Sequence, residues 1–210
     1  MIAVIIPVYN AEKYLESFLK KLPKGYEIIV VDDGSTDDSA GIAEKMGFKV
    51  IRLDKNYGKG KACKVGTKNS KSDICIFIDG DDQFDPRDIE SLEKAIAGAD
   101  IVIGQRYIEK IPVRRQITNR LARYAVKKIT GKRFDDVLCG LRAVRKDRLN
   151  VEELRDGYEF ESDMIIKAVR NNLNIKTIHV NVSYKTGSRM PFIKGLKLSI
   201  YLFSEALKIW

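Results

Sequence analysis

The residues best suited to chemistry are the carboxylates of Asp79-Gly80-Asp81-Asp82-Gln83, which follow directly on the apolar run Ile74-Cys75-Ile76-Phe77-Ile78. Asp79 and Asp81 can both point into one crevice if the backbone turns at Gly80. Two carboxylates held that close repel each other unless a cation lies between them. Mg²⁺ or Mn²⁺ suits such hard oxygen donors and would also hold the phosphates of a bound substrate. The pattern points to a nucleotide-diphosphate site built around a divalent metal; a surface acidic loop is the plain alternative. A second acidic pair, Asp32-Asp33, closes another apolar run, Glu27 to Val31. A carboxylate there suits a nucleobase, because it accepts hydrogen bonds from ring N–H groups, although either residue could merely cap a helix. Gly58-Lys59-Gly60-Lys61 is glycine-rich ahead of a helix. It lacks the third glycine of the dinucleotide fingerprint, and no P-loop signature occurs anywhere. These glycines could be a tight turn, and Lys59 or Lys61 could still face phosphate.

The elements that must position these groups are legible as alternating runs. Ile2 to Asn10 reads as a buried strand ending in a turn, followed by a helix with Tyr14, Leu15, Phe18, Leu19 and Leu22 on one face, ended by Pro23 and Gly25. Further strands are expected at Glu27–Val31, Lys49–Leu53, Asp73–Asp79 and Asp100–Gly104. Ser35 or Thr36 is expected to cap the helix after the second strand, and Pro86 suits a first helical turn. Strand and helix alternate, so the first 105 residues predict a mostly parallel sheet with crossover helices. Both acidic clusters then stand at carboxyl ends of strands, where open α/β sheets bind ligands.

The second half changes character. Between Lys110 and Arg133 there are nine basic residues and no acidic one. Ile117, Leu121, Ala125 and Ile129 recur every four residues, which predicts a basic amphipathic helix. It could lie on an anionic membrane face or turn its apolar stripe to the core. Gly157–Asn171 reads as a helix, Ile175–Tyr184 as a strand, and Phe192–Trp210 as a helix that could meet the core, a membrane or a partner. With no linker or repeat, one domain is expected: residues 1–105 for the nucleotide, 106–190 for an acceptor, and 191–210 as a terminal amphipathic helix.

Composition narrows the classes. The 210-residue chain carries a formal net charge of +9 and is globular in its apolar and charged fractions. Cys63, Cys75 and Cys139 are widely spaced and His179 is the single histidine, which argues against zinc or a disulfide framework and for a reducing compartment. His179 reads as structural. The apolar start, Met1 to Val8, lacks the basic region and cleavage site of a signal peptide. No uninterrupted apolar run reaches the roughly 18 residues of a spanning helix. Nucleic-acid binding is disfavoured, because the aromatic interleaving expected of a single-strand platform is absent from the basic segment.

Ile6-Pro7-Val8-Tyr9-Asn10 with Glu12, then Val30 to Asp37, Asn56-Tyr57-Gly58-Lys59-Gly60 and Asp79 to Gln83 together resemble the family-2 glycosyltransferases of the GT-A fold. Gly104-Gln105-Arg106-Tyr107, the basic helix with Arg120, Asp136 with Cys139-Gly140-Leu141-Arg142, and Gly157 to Phe160 with Asp163 are similar to the dolichol-phosphate mannose synthase branch. The resemblance spans about residues 2–190. It implies that Pro7, Tyr9, Glu12, Val31 and Asp33 hold the nucleoside of a nucleotide-diphosphate sugar. Asp79, Asp81 and Gln83 would line the Mg²⁺ or Mn²⁺ and diphosphate site, with Gly80 adding backbone, and Arg106 and Arg120 would face the acceptor phosphate. Asp163 is the carboxylate it offers for proton transfer, standing where relatives usually carry Glu. Cys139 stands where many have Ser. A shortened basic loop leaves Arg189, with Lys185, for the diphosphate. The implied reaction moves a hexose, mannose from GDP-mannose, onto a polyprenyl (dolichyl) phosphate. It would run with inversion, at the cytosolic face of a membrane, by peripheral attachment with room for an anchoring partner. A UDP-sugar donor, a hydroxyl acceptor or a non-catalytic nucleotide-sugar-binding subunit are the alternatives.

Overall fold

The structure, a computed structural model, describes residues 1–184 together with Tyr201, Ser204 and Glu205, the side chains of Lys110 and Arg114 excepted. The expected terminal helix 192–210 and the loop with Lys185 and Arg189 otherwise lie outside the described residues. Strands β1 (Ile2–Val8), β2 (Glu27–Asp32), β3 (Lys49–Arg52), β4 (Ile74–Phe77), β5 (Ile101–Arg106), β6 (Arg142–Arg145) and β7 (Ile175–Val180) form one sheet in the order β3-β2-β1-β4-β6-β5-β7. All neighbours run parallel except β6, which is antiparallel to both β4 and β5. The α/β architecture with a mostly parallel sheet is as the sequence implies.

The helices are α1 (Glu12–Leu19), α2 (Ser39–Lys45), α3 (Lys59–Lys68), α4 (Asp88–Ile96), α5 (Val113–Thr130) and α6 (Phe160–Arg170). They cover both faces of the sheet, and the period-2 geometry of strands divides the core accordingly. Ala3 and Ile5 of β1 join Ile29, Val31, Cys75 and Phe77 against α3, α5 and α6. Val4, Ile6 and Val8 join Val30, Ile76 and Ile78 against α1, α2 and α4. With both faces covered, the central strands must be apolar at every position, and Ala3 to Ile6 are fully buried.

Three local expectations shift. Helix α1 ends at Leu19, about a turn before Pro23 and Gly25, where the bond from Lys21 N to Phe18 O tightens the chain. Ser35 and Thr36 do not cap α2, which starts later, at Ser39. Ser35 Oγ bonds the Asp32 carboxylate and accepts from Asn10 N, while Thr36 N donates to Asn10 Oδ1. The loops after β1 and β2 are thereby laced together. Strand β6 carries only Arg-Ala-Val-Arg and has no sequence signature, yet it runs between β4 and β5, so both halves of the chain share one sheet.

Candidate active site

Strand order reverses direction between β1 and β4: the chain winds β1 to β2 to β3 on one side, then returns to place β4 on the other. Such a switch point opens a crevice at the carboxyl ends of the strands. A cavity of about 320 Å³ lies there. Its wall includes Pro7 and Tyr9 after the core of β1, Asp33 after β2, and Asp79, Gly80, Asp81 and Gln83 after β4. Arg106 at the end of β5 completes the set of predicted residues that reach it.

The rest of the predicted set lies elsewhere. Val31 is fully buried in the sheet, packed toward α3. Glu12 is exposed and accepts a hydrogen bond from Asp38 N at 3.0 Å, bracing the two nucleotide-side loops. Arg120 is exposed on α5 and outside the cavity wall, whereas Arg115 and Thr118 line it. Asp163 is buried against the opposite side of α6, accepting from Arg155 N at 2.9 Å and from Tyr201 Oη at 2.7 Å. Glu161 lines the cavity instead. The reason is helical phase: at about 100° per residue, positions 161 and 163 stand some 200° apart, and 115 and 120 some 140° apart. Arg189 lies outside the described residues.

The cavity is organised by charge. Asp33 accepts from Tyr57 N and Gly58 N, both at 2.8 Å, and so fixes the loop that leads into α3. Gly58, with φ +105°, closes that turn. Lys59, the first residue of α3, then reaches Asp79 Oδ1 and Glu161 Oε1, each at 2.6 Å. Burial alone would lower the pKa of this ammonium, but the two carboxylates more than reverse that and hold it charged. Opposite, Arg106 forms a fork with Asp136, Nε to Oδ2 at 2.6 Å and Nη2 to Oδ1 at 2.9 Å. Asp136 is completely buried and outweighs the effect of burial on Arg106, so the guanidinium stays cationic. Arg106 Nη1 donates to Tyr184 Oη at 3.3 Å; Arg115 lies over the Tyr184 ring and donates to Gln83 Oε1 at 3.1 Å. Two guanidiniums are thus linked through one tyrosine to the acidic loop.

Gln83 and the carboxylates of Asp79 and Asp81 offer hard oxygen donors in one cavity, and an ammonium already rests on Asp79. This donor chemistry fits a divalent cation that takes its remaining positions from phosphate and water. Among the described residues no three His, Cys, Asp or Glu side chains are gathered as a ready-made cage. Glu161 and Arg115 are not singled out as site residues by the sequence; Lys59 carries a signal there, as a lysine in a glycine-rich turn before a helix that could face phosphate.

The sequence matches the description "Glycosyl transferase family 2" over residues 3–194. It is 37% identical to an uncharacterized protein of Methanocaldococcus jannaschii over 86% of this chain and 87% of that one. It is 36% identical to an undecaprenyl-phosphate 4-deoxy-4-formamido-L-arabinose transferase of Pseudomonas aeruginosa, over 70% of this chain but only 47% of that longer protein. Among solved structures, glucosyl-3-phosphoglycerate synthase from Mycobacterium tuberculosis, in complex with Mn²⁺, UDP and phosphoglyceric acid, superimposes with a TM-score of 0.80. It covers 99% of this chain and 78% of its own at 22% identity.

Proposed function

Since the chain belongs to glycosyl transferase family 2, we propose that it moves a hexose from a nucleoside-diphosphate sugar to a polyprenyl phosphate, inverting the sugar carbon, at the cytosolic face of a membrane. GDP-mannose is the donor in this reading and a UDP-sugar its alternative. Pro7, Tyr9 and Asp33 hold the nucleoside; Asp79, Asp81 and Gln83 hold Mg²⁺ or Mn²⁺. That ion, when bound, neutralises charge on the leaving diphosphate. The reading rests on one observation above all: Arg106 and Arg115 share a cavity with Asp79 and Asp81. Cations for an anionic acceptor therefore stand beside the donor site. Guanidiniums pair with phosphate oxygens through charge-assisted hydrogen bonds; with Arg106 Nε and Nη2 held by Asp136, the Nη1 edge of Arg106 and the guanidinium of Arg115 would make them. The arabinose transferase relative, whose name specifies an undecaprenyl-phosphate acceptor, supports the same class. The test is transfer from radiolabelled GDP-mannose and UDP-hexoses to polyprenyl phosphate, free polyprenol and phosphoglycerate in parallel. Labelled lipid from the phosphate alone is expected; preference for the free alcohol or the soluble acid would overturn the lipid-phosphate assignment.

A phosphate monoester has a second pKa of about 6 and is already largely dianionic at neutral pH. The acceptor therefore needs positioning and charge compensation, not a base. Asp163, whose oxygens hold Arg155 N and Tyr201 Oη, is assigned to the scaffold. Asp163→Asn is expected to keep most of the transfer rate and an unchanged pH profile with saturating lipid. A general base is typically worth about 10²–10⁴-fold, so a loss of that size together with the wild-type acid limb would return Asp163 to the chemistry and point to a hydroxyl acceptor.

No helix among the described residues is long and apolar enough to cross a membrane. Attachment in this reading is peripheral, through α5. Val113, Ile117, Leu121 and Tyr124 are 59–71% exposed along that helix, while Ala122 and Val126 face the core. Exposed Arg120, Lys127 and Lys128 flank the apolar row. A basic residue near an anionic bilayer contributes roughly 1 kcal/mol, screened by salt. Binding to vesicles containing anionic lipid is expected to fall with rising salt. It should fall further in Arg120→Gln/Lys127→Gln/Lys128→Gln and in Ile117→Ser/Leu121→Ser, measured by co-sedimentation. Indifference to all three changes would move the attachment to residues 191–210 or to a membrane partner.

A further inference from the structure

The ammonium of Lys59 stands where the acidic loop needs a cation. It contacts Asp79 Oδ1 and Glu161 Oε1 at equal distances of 2.6 Å. Its backbone is held on both sides: the turn before it is bonded to Asp33, and the first turn of α3 is tied by the bond from Lys61 N to Asp156 O. Glu161 is 4% exposed in the first turn of α6, and its own carbonyl accepts from the buried Arg142. The space around the ammonium is kept clear by Gly140, where any side chain would collide with both Lys59 Nζ and Asp79 Oδ2.

We propose that Lys59 is the resident cation of the metal site. It occupies Asp79 until a divalent ion arrives together with a diphosphate, and then turns its ammonium from Asp79 to the phosphate oxygens, with Glu161 as the positioning residue that keeps its base in the cavity. This rests on the nucleoside-diphosphate and metal reading above. The contact itself calls for the exchange. Lys59 Nζ occupies Asp79 Oδ1, so a metal that takes this oxygen alone must displace the ammonium and leave two cations facing each other. A diphosphate entering with the metal gives the displaced ammonium a new anion. Metal and diphosphate therefore bind as a pair, each raising the affinity for the other by the same factor. The site then stays closed to free metal while waiting for donor.

Mn²⁺ binding to the whole protein, read from the loss of the free-ion electron paramagnetic resonance signal, tests this without any turnover. For the wild type, weak binding of Mn²⁺ alone and at least tenfold tighter binding with GDP or UDP is expected. In Lys59→Gln, Mn²⁺ alone is expected to bind at least tenfold more tightly than in the wild type, and the gain from nucleotide should shrink. Because Glu161 would then be buried beside a neutral amide, the double variant Lys59→Met/Glu161→Gln provides a second arm. It should also bind Mn²⁺ alone more tightly, since Asp79 is released while no buried charge is stranded. Lys61→Gln removes the same charge two residues along α3 and is expected to leave Mn²⁺ affinity within about twofold. Equal Mn²⁺ affinity in the wild type and both Lys59 variants would overturn the resident-cation role. So would an equal rise in Lys61→Gln, which would mean that net charge alone governs the site. Failure of the wild type to bind Mn²⁺ even with nucleotide would instead sink the metal–diphosphate reading itself.

Discussion

Asp81→Asn is expected to abolish sugar transfer, with a loss of roughly a thousandfold or more. The substitution keeps the size of the side chain, and the amide oxygen can still accept the bond from Gln83 N that closes this turn at 3.1 Å. Only a charge is lost, in a loop whose function in this reading is to hold a divalent ion against a diphosphate. Groups aimed at charge that develops in a transition state are worth about 10²–10³-fold each when removed singly, and loss of a metal ligand weakens the bound ion as well. The measurement is transfer rate against Mn²⁺ or Mg²⁺ concentration, with the melting point in the presence of nucleotide sugar as a binding check. Metal-dependent stabilisation by the nucleotide sugar is expected to disappear in the variant. Wild-type activity that persists in excess EDTA would sink the metal assignment.

The largest effect on stability is expected from Arg142→Met, at roughly 3–5 kcal/mol, the order of several buried acceptors left without a donor. Arg142 is completely buried, and its guanidinium donates to three main-chain carbonyls: Cys139 O at 2.8 Å, Val137 O at 2.7 Å and Glu161 O at 2.5 Å. Burial lowers the pKa of this guanidinium, while nearby Glu161 opposes the shift. Methionine fills much of the volume but leaves the three acceptors unsatisfied, and each buried unsatisfied group costs about 1–3 kcal/mol. Those carbonyls belong to the segment before β6 and the first turn of α6, which carry Leu138, Gly140 and Glu161 to the cavity. Urea denaturation at constant m-value gives the change in stability directly. A loss below about 1 kcal/mol would mean that water replaces the guanidinium.

The parts of this protein written in local pattern could be read from the chain. Apolar β-branched runs mark β1, β2 and β4, and the last two stop at acidic clusters that place Asp33, Asp79 and Asp81 at strand ends, because a strand buried on both faces must be continuously apolar. The alternation of runs and amphipathic segments gives the α/β class for the same reason. Boundaries were less legible where backbone bonding decided them, as at the early end of α1 and the late start of α2.

Composition and order along the chain determined that an acidic, glycine-punctuated crevice lies at the carboxyl edge of a mostly parallel sheet. The tertiary structure alone decided which other side chains enter it. A helix presents only one arc to a cavity, and which arc depends on how it packs; α5 therefore turns Arg115 inward and Arg120 outward, and α6 turns Glu161 inward and Asp163 away. Strand β6 has too few residues to show a period, and it is made a strand by two neighbours distant in sequence, β4 and β5. That pairing sets Arg142 opposite Phe77 and Gly140 beside Asp79, where Lys59 bridges Asp79 to Glu161. Contacts across about 20 to 100 residues leave no local periodicity, since they are set by packing and charge compensation between elements and not by the propensities within any one of them.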